Sequence, residues 1–232
     1  MAISANAFFH FTSKFDVLIS ILREGFWPRY CIERGWGNKY IDFALPMVCF
    51  CDIPLGQILN HTNTYGEFGI GVSHGWVTHN KLFNPVQYIS NNSEIFNKVS
   101  RELTKLKNSV DSVDAEFLCR VKKVSGEFRK TDGKNLRVKF YDEREWRYVP
   151  QLDNTFGLVS SDKKNPVDIN EKSKSTQAEK LKLFACEIRY IILPNEKYRF
   201  KMIKCLKELF TESETDLLIS KIITLEQIMN DF

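Results

Sequence analysis

The stretch Phe140-Tyr141-Asp142-Glu143-Arg144-Glu145-Trp146-Arg147-Tyr148-Val149-Pro150 decides how the rest of the chain is read. Tyr141, Trp146, Tyr148 and Val149 are bulky, β-favouring residues, and they predict a strand held in a sheet. At the strand period of two, Glu143 and Glu145 point to one face, and Arg144 and Trp146 to the other. Two carboxylates on one face repel each other unless a ligand or a cation lies over them. Such a pair suits chemistry at a sugar carbon, where one carboxylate steadies an oxocarbenium-like cation and the other positions the incoming group. The alternative is an edge strand with a solvated charged face and Trp146 in the core.

Outward from this stretch, the basic residues Arg129, Lys130, Lys134, Arg137 and Lys139 precede the acidic pair. They either keep a loop solvated or guide a polyanion, with Phe128 and Phe140 able to stack on an unpaired base. Beyond Pro150, residues 151–180 are rich in Ser, Asp, Asn, Lys and Thr and read as a mobile loop. Residues 93–124 read as an inserted helical layer. Ile95, Phe96, Val99, Leu103 and Leu106 mark one amphipathic helix; Val113, Phe117, Leu118 and Val121 mark a second.

At the start of the chain, Ala7 to Thr12 predicts a buried strand ending in His10-Phe11-Thr12. Ser13 and Asp16 resemble a capping box opening a helix that Gly25 stops. Arg29 follows Pro28 in an irregular segment and is able to clamp a phosphate. It is equally readable as a surface Arg beside Trp27. Residues Glu33 to Ile41 contain Gly35, Gly37 and Asn38 and read as a loop. Met47 to Cys51 predicts a central strand, and Asp52 is the expected N-cap of a helix running to Tyr65 and Gly66. Phe68 to Val72 is a strand whose Gly69 and Gly71 imply close approach by a neighbour or a ligand. Ser73 is expected to cap a short helix with His74, Trp76 and His79. Leu183 to Leu193 predicts a final long strand, followed by a helix from Glu196 to Phe210. A short strand at Lys221 to Ile223 then precedes a terminal helix capped by Thr224.

The 232 residues, 43% hydrophobic and 27% charged, describe one globular domain with a real core and no linker or internal repeat. A net charge of +4 permits a nucleic-acid partner without demanding one. The absence of a membrane-length apolar run and of a leader pattern predicts a cytoplasmic protein with no membrane partner. The six cysteines form no Cys-x-x-Cys pair and have no accompanying His cluster, so reduced thiols are expected and no metal site.

Phe9-His10-Phe11-Thr12, with Leu18, Ile21, Leu22 and Gly25, resembles the opening of DarT-type ADP-ribosyltransferases and tRNA 2′-phosphotransferases. Pro28-Arg29-Tyr30-Cys31, Pro46 to Leu55, His61, Tyr65-Gly66, Gly69-Ile70-Gly71, Trp76, Asn84-Pro85-Val86 and Glu143 to Arg147 together resemble the AbiGi family of abortive-infection proteins. The ADP-ribosyltransferase resemblance implies an α+β fold with two small sheets splayed around a cleft and NAD as substrate. It places His10, Phe11 and Thr12 near the ribose and Arg29 near the phosphates. Tyr30 or Tyr65 would pack on nicotinamide, because Asp52 stands where the family has Ser, Thr or Tyr. Glu145 would be the catalytic carboxylate and Glu143 would serve the acceptor. Lys134, Arg137 and Lys139 would select an RNA, DNA or protein acceptor. That reading makes the chain a phage-defence toxin held in check by a cognate antitoxin or regulatory protein. The AbiGi resemblance carries an antitoxin label and implies a non-enzymatic protein that restrains a partner toxin.

Overall fold

The computed structural model describes residues 6–36, 41–106, 120–129, 135–151, 159–161 and 168–231. In chain order the first strands are β1 (Ala7–Thr12), β2 (Arg29–Trp36), β3 (Ile41–Cys51), β4 (Phe68–Ser73), β5 (Phe83–Pro85), β6 (Gln87–Ile89) and β7 (Val121–Lys123). They are followed by β8 (Gly126–Arg129), β9 (Asn135–Val138), β10 (Glu145–Tyr148), β11 (Val159–Ser161), β12 (Ile188–Leu193) and β13 (Ile222–Thr224). The helices are α1 (Phe15–Glu24), α2 (Ile58–Tyr65), α3 (His74–Thr78), α4 (Glu94–Leu106), α5 (Ile169–Ser173), α6 (Arg199–Leu209), α7 (Glu212–Ile219) and α8 (Leu225–Asp231). Helices and mainly antiparallel strands make this an α+β fold.

The chain divides into two compact units, each assembled from separated segments. The first comprises Met1–Phe26, Phe50–Lys81 and Leu181–Phe232. Its strands run in the order β13-β12-β4-β1, and Phe9 of β1 then pairs with Cys51 at the end of β3. β1 is buried through Ala7, Phe8, Phe9 and Phe11, as expected of a strand with both faces covered. Phe9 lies opposite Gly71, and Phe11 opposite Gly69. A Cβ on Gly69 would stand 2.8 Å from the Phe11 ring, and one on Gly71 would stand 2.9 Å from the rings of Phe9 and Tyr190. The close approach expected at these glycines is therefore made by aromatic neighbours. Phe9, Phe11, Cys51, Ile53, Ile58, Ile192, Leu225 and Ile228 form the core here.

The helix ends follow the expected glycines. Gly25, at φ +86°, donates its N–H to Ile21 O at 2.9 Å, and Gly66, at φ +115°, does the same to Thr62 O. The expected starts differ. α1 has Lys14 as N-cap and no side-chain cap, so the Ser13–Asp16 box does not form. The helix stands instead on buried Phe15, Leu18, Ile21 and Leu22. Asp52 is not a cap either, because Pro54 precedes a 3-10 turn (Leu55–Gln57) that leads into α2. Ser73 does cap α3, accepting from Trp76 N at 3.2 Å, and Thr224 Oγ1 accepts from Gln227 N at 3.1 Å. Only Ile188–Leu193 of the expected late strand is extended, since Ala185–Glu187 is a 3-10 turn.

The second unit comprises Trp27–Cys49 and Leu82–Lys180. Here β10 lies between β3 and β5, while β2 and β11 pair with β3. The segment expected as a loop from Glu33 continues β2 to Trp36, and β3 already begins at Ile41. α4 forms where the first amphipathic helix was expected, but Val121 belongs to β7, paired in parallel with β6. Residues 107–119, which hold the rest of the second expected helix, lie outside the described residues. Within the stretch read as a mobile loop, residues 168–179 form α5, capped by Asp168, and a 3-10 turn. Their hydroxyls are used internally: Tyr30 N–H donates to Ser173 Oγ at 2.9 Å, and Thr176 Oγ1 donates to Pro28 O. Leu45, Met47, Val99, Val121 and Val149 form this unit's core.

Candidate functional site

The quoted stretch is not one strand. Phe140–Glu143 is a 3-10 turn, Arg144 adopts the left-handed conformation at φ 45°, and β10 starts at Glu145. The left-handed residue breaks the alternation, yet both carboxylates reach one cation. Lys122 Nζ, from β7, lies 2.8 Å from Glu143 Oε2 and 2.6 Å from Glu145 Oε2. The same ammonium stands 4.5 Å over the Phe140 ring. Arg147 follows Glu145 on the same face of β10. Its Nε donates to Glu145 Oε1 at 2.7 Å, and its Nη2 bonds Glu33 of β2 and lies 3.4 Å from Glu145 Oε2. The Glu145 N–H donates to the Tyr88 hydroxyl at 2.9 Å.

Four members of this cluster are buried. Arg147 is 0% exposed, Glu145 5%, Glu143 6% and Lys122 7%. Burial alone raises the Glu145 carboxyl, but the Arg147 guanidinium and the Lys122 ammonium outweigh it and hold the group well below the usual carboxylate range. Burial opposes the charge on Arg147 as well, while Glu145 and Glu33 keep it firmly protonated. Burial pushes the neighbouring Cys31 thiol up to about 11, and burial with the Glu145 carboxylate raises the Cys49 thiol well above its ordinary value. Tyr88 is raised by burial and by Glu145. The arrangement is a compact salt-bridge network in which every charge named has an opposite neighbour. It is built to fix β2, β7 and β10 to one another, since removing any member strands a buried charge.

The remaining sequence-derived candidates fall in two groups. His10, Phe11, Thr12, Asp52 and Tyr65 belong to the first unit, and Glu143, Glu145, Arg29, Tyr30, Arg137 and Lys139 to the second. Lys134 lies outside the described residues. His10 is half-buried, its ring 5.2 Å from Phe26 and 5.7 Å from Phe50, and Trp76 packs on both phenylalanines. Phe11 packs on His61 at 5.5 Å, and His61 on Tyr65 at 4.5 Å, so Tyr65 is engaged in the core. Thr12 is half-buried at the end of β1, and Asp52 is buried. The Arg29 guanidinium lies 4.3 Å over the Trp27 ring and is otherwise exposed. Tyr30 is buried at 3% exposure beneath Lys172. Arg137 and Lys139 are exposed, and Lys139 pairs with Asp142 at 3.0 Å.

Sequence reasoning brought Glu143 and Glu145 together but missed Lys122, Glu33 and Tyr88 as their company. Arg147 was legible, because it stands two residues from Glu145 on one strand. Lys122 was not, because only the β6–β7 pairing brings its strand alongside. Among the described residues no group of three or more His, Cys, Asp and Glu side chains is placed to hold a metal ion. None of the described helices is long and apolar enough to cross a membrane.

Residues 24–194 match a family profile described as "Putative abortive phage resistance protein AbiGi, antitoxin". The abortive phage resistance protein AbiGi of Lactococcus lactis subsp. cremoris is 30% identical over 231 aligned residues, which cover 82% of this chain and 90% of that protein. No solved structure matches.

Proposed function

Because the chain belongs to the AbiGi family of abortive phage resistance proteins, we propose that it is the antitoxin of a two-component abortive-infection system, acting in the cytoplasm by binding and restraining a partner toxin. The observation that carries this reading is the state of the carboxylate pair. A catalytic carboxylate must reach the ribose hydroxyl and the cation that forms as a leaving group departs. Both oxygens of Glu145 are already held by Arg147 and Lys122, Glu143 shares the same lysine, and all four side chains are buried. A network of that kind stabilises a scaffold, and a scaffold with an interface is all an antitoxin needs. The antitoxin description of the matching family points the same way.

A second reading rests on a different observation: Glu145 is held ionised, as a cation-stabilising carboxylate must be, and His10 lies on the first strand. Under it the chain is an NAD-dependent ADP-ribosyltransferase toxin with Glu145 as catalytic residue and Arg137 and Lys139 on the acceptor side. Lys122 and Arg147 would then have to release Glu145 when substrate enters.

Expression in a host cell separates the two. The antitoxin reading expects the chain alone to be harmless, to leave cellular NAD unchanged, and to rescue cells from the toxic product of the neighbouring gene. Growth arrest by the chain alone, with NAD consumed and label transferred to RNA, DNA or protein, would overturn it in favour of the enzyme.

A further inference from the structure

Among the described residues the most exposed large apolar side chain is Phe200, at 85% in the first turn of α6. α6 is anchored by its other face, where Met202 and Leu206 are fully buried. Phe200 is therefore surplus to the packing of the helix. Lys197 lies three residues before it, in the turn leading into the helix, and Lys204 and Lys207 lie four and seven residues after it. These spacings place all of them on one side of the helix with Phe200. Lys201 borders the same face, its ammonium 4.3 Å over the Phe15 ring. Lys197, Lys201, Lys204 and Lys207 are all exposed; the acids among them are Glu208 and Glu196, and Glu196 is paired with Arg199.

We infer that this face of α6 is the surface by which the chain docks on an acidic partner protein, with Phe200 entering an apolar pocket rimmed by carboxylates. The inference rests on the antitoxin reading, under which that partner is the toxin. An aromatic anchor ringed by polar side chains is the pattern of an interface hot spot, and the lysine ring steers an oppositely charged surface towards it. The charge argues against a second copy of this chain as the occupant, because a symmetric contact would set lysines against lysines. A single phenylalanine is a weak membrane anchor when the apolar side of the helix is already buried. Single-stranded nucleic acid uses successive stacking platforms, and this face offers one ring.

The test titrates the purified full-length chain into the neighbouring-gene toxin at several salt concentrations, beside Phe200→Ala and the double variant Lys204→Glu/Lys207→Glu. All three proteins should share one circular-dichroism spectrum and melting temperature, since the altered side chains are exposed. Phe200→Ala should weaken binding about thirtyfold or more. The double variant should slow association and flatten its salt dependence. If wild type and both variants bind and neutralise the toxin equally, the docking surface is wrong while the antitoxin reading stands. If wild type neither binds nor neutralises, both fall. Sensitivity of the variants in binding to anionic phospholipid vesicles or a mixed RNA pool, with toxin binding unchanged, would overturn the protein partner in favour of those surfaces.

Discussion

Glu145 carries the sharpest consequences at the scale of single residues. Its carboxylate neutralises Arg147 and Lys122 inside the protein, so Glu145→Gln leaves buried cations undercompensated. Breaking a buried pair on one side costs roughly 3–5 kcal/mol. Urea unfolding of the variant at neutral pH should therefore show a large loss of stability. A variant as stable as wild type would show that the network is not structural. The pH dependence follows from the same charge. The Glu145 carboxyl is depressed in the folded state relative to its ordinary value of 4.5. Its contribution is thus fully present above that value and is lost as pH falls towards the folded one. The stability gap between wild type and Glu145→Gln should narrow as the solution is acidified below about pH 4.5. The thiols give a separate check. Cys31 is raised to about 11 by burial, whereas Cys186 is exposed. Two pKa units cut the thiolate fraction about a hundredfold. Maleimide labelling of the native protein at pH 7.5, read by mass spectrometry, should reach Cys186 long before Cys31.

At the scale of elements, β4 and α7 are the informative ones. Gly71 has no room for a side chain, because a Cβ there meets the rings of Phe9 and Tyr190. Gly71→Ala forces those rings apart in a packed core, which costs about 1–3 kcal/mol. The melting temperature should fall by several degrees, and an unchanged one would mean that the rings yield freely. α7 is closed by a capping box. Thr211 accepts from Glu214 N–H at 3.4 Å, and Glu214 Oε2 accepts from Thr211 N–H at 3.1 Å. Thr211→Ala should cost about 1 kcal/mol, and a circular-dichroism melt measures it. That box is legible in the sequence as Thr211-Glu212-Ser213-Glu214. The Ser13–Asp16 box expected from the sequence does not form. The two similar signals differ in outcome because Thr211 falls at the N-cap of α7, whereas the N-cap of α1 is Lys14, one residue past Ser13.

At the scale of the whole molecule, the first unit joins both ends of the chain. Leu225 and Ile228 from α8 share a core with Phe9, Phe11 and Ile58, while Met202, Leu206 and Leu218 are fully buried. A chain ending at residue 194 would lose Met202, Leu206, Leu218, Leu225 and Ile228. It should fail to give a soluble protein with a cooperative thermal transition, whereas the 232-residue chain should give both. A truncated chain that melts cooperatively would show that the C-terminal helices are an accessory. The division into two units was not legible beforehand, since each is stitched from segments far apart in the chain.

What the sequence by itself determined was local. Apolar period and punctuation placed β1, α1, β4, α3, α4 and α6, and glycines placed the ends of α1 and α2, because sterics and spacing act within a few residues. It also drew attention to Glu143 and Glu145 and to the need for a ligand or a cation over them. Only the tertiary structure decided which cation that is and what it means. Lys122 and Tyr88 come to Glu145 on other elements, Glu33 comes to its partner Arg147, and Lys122, Glu143, Glu145 and Arg147 are buried together as a network of ion pairs. Charge in a sequence is the same whether a side chain is solvated or dry. Its energetic weight is set by the neighbours that exclude water, and those are assigned by the pairing of distant strands.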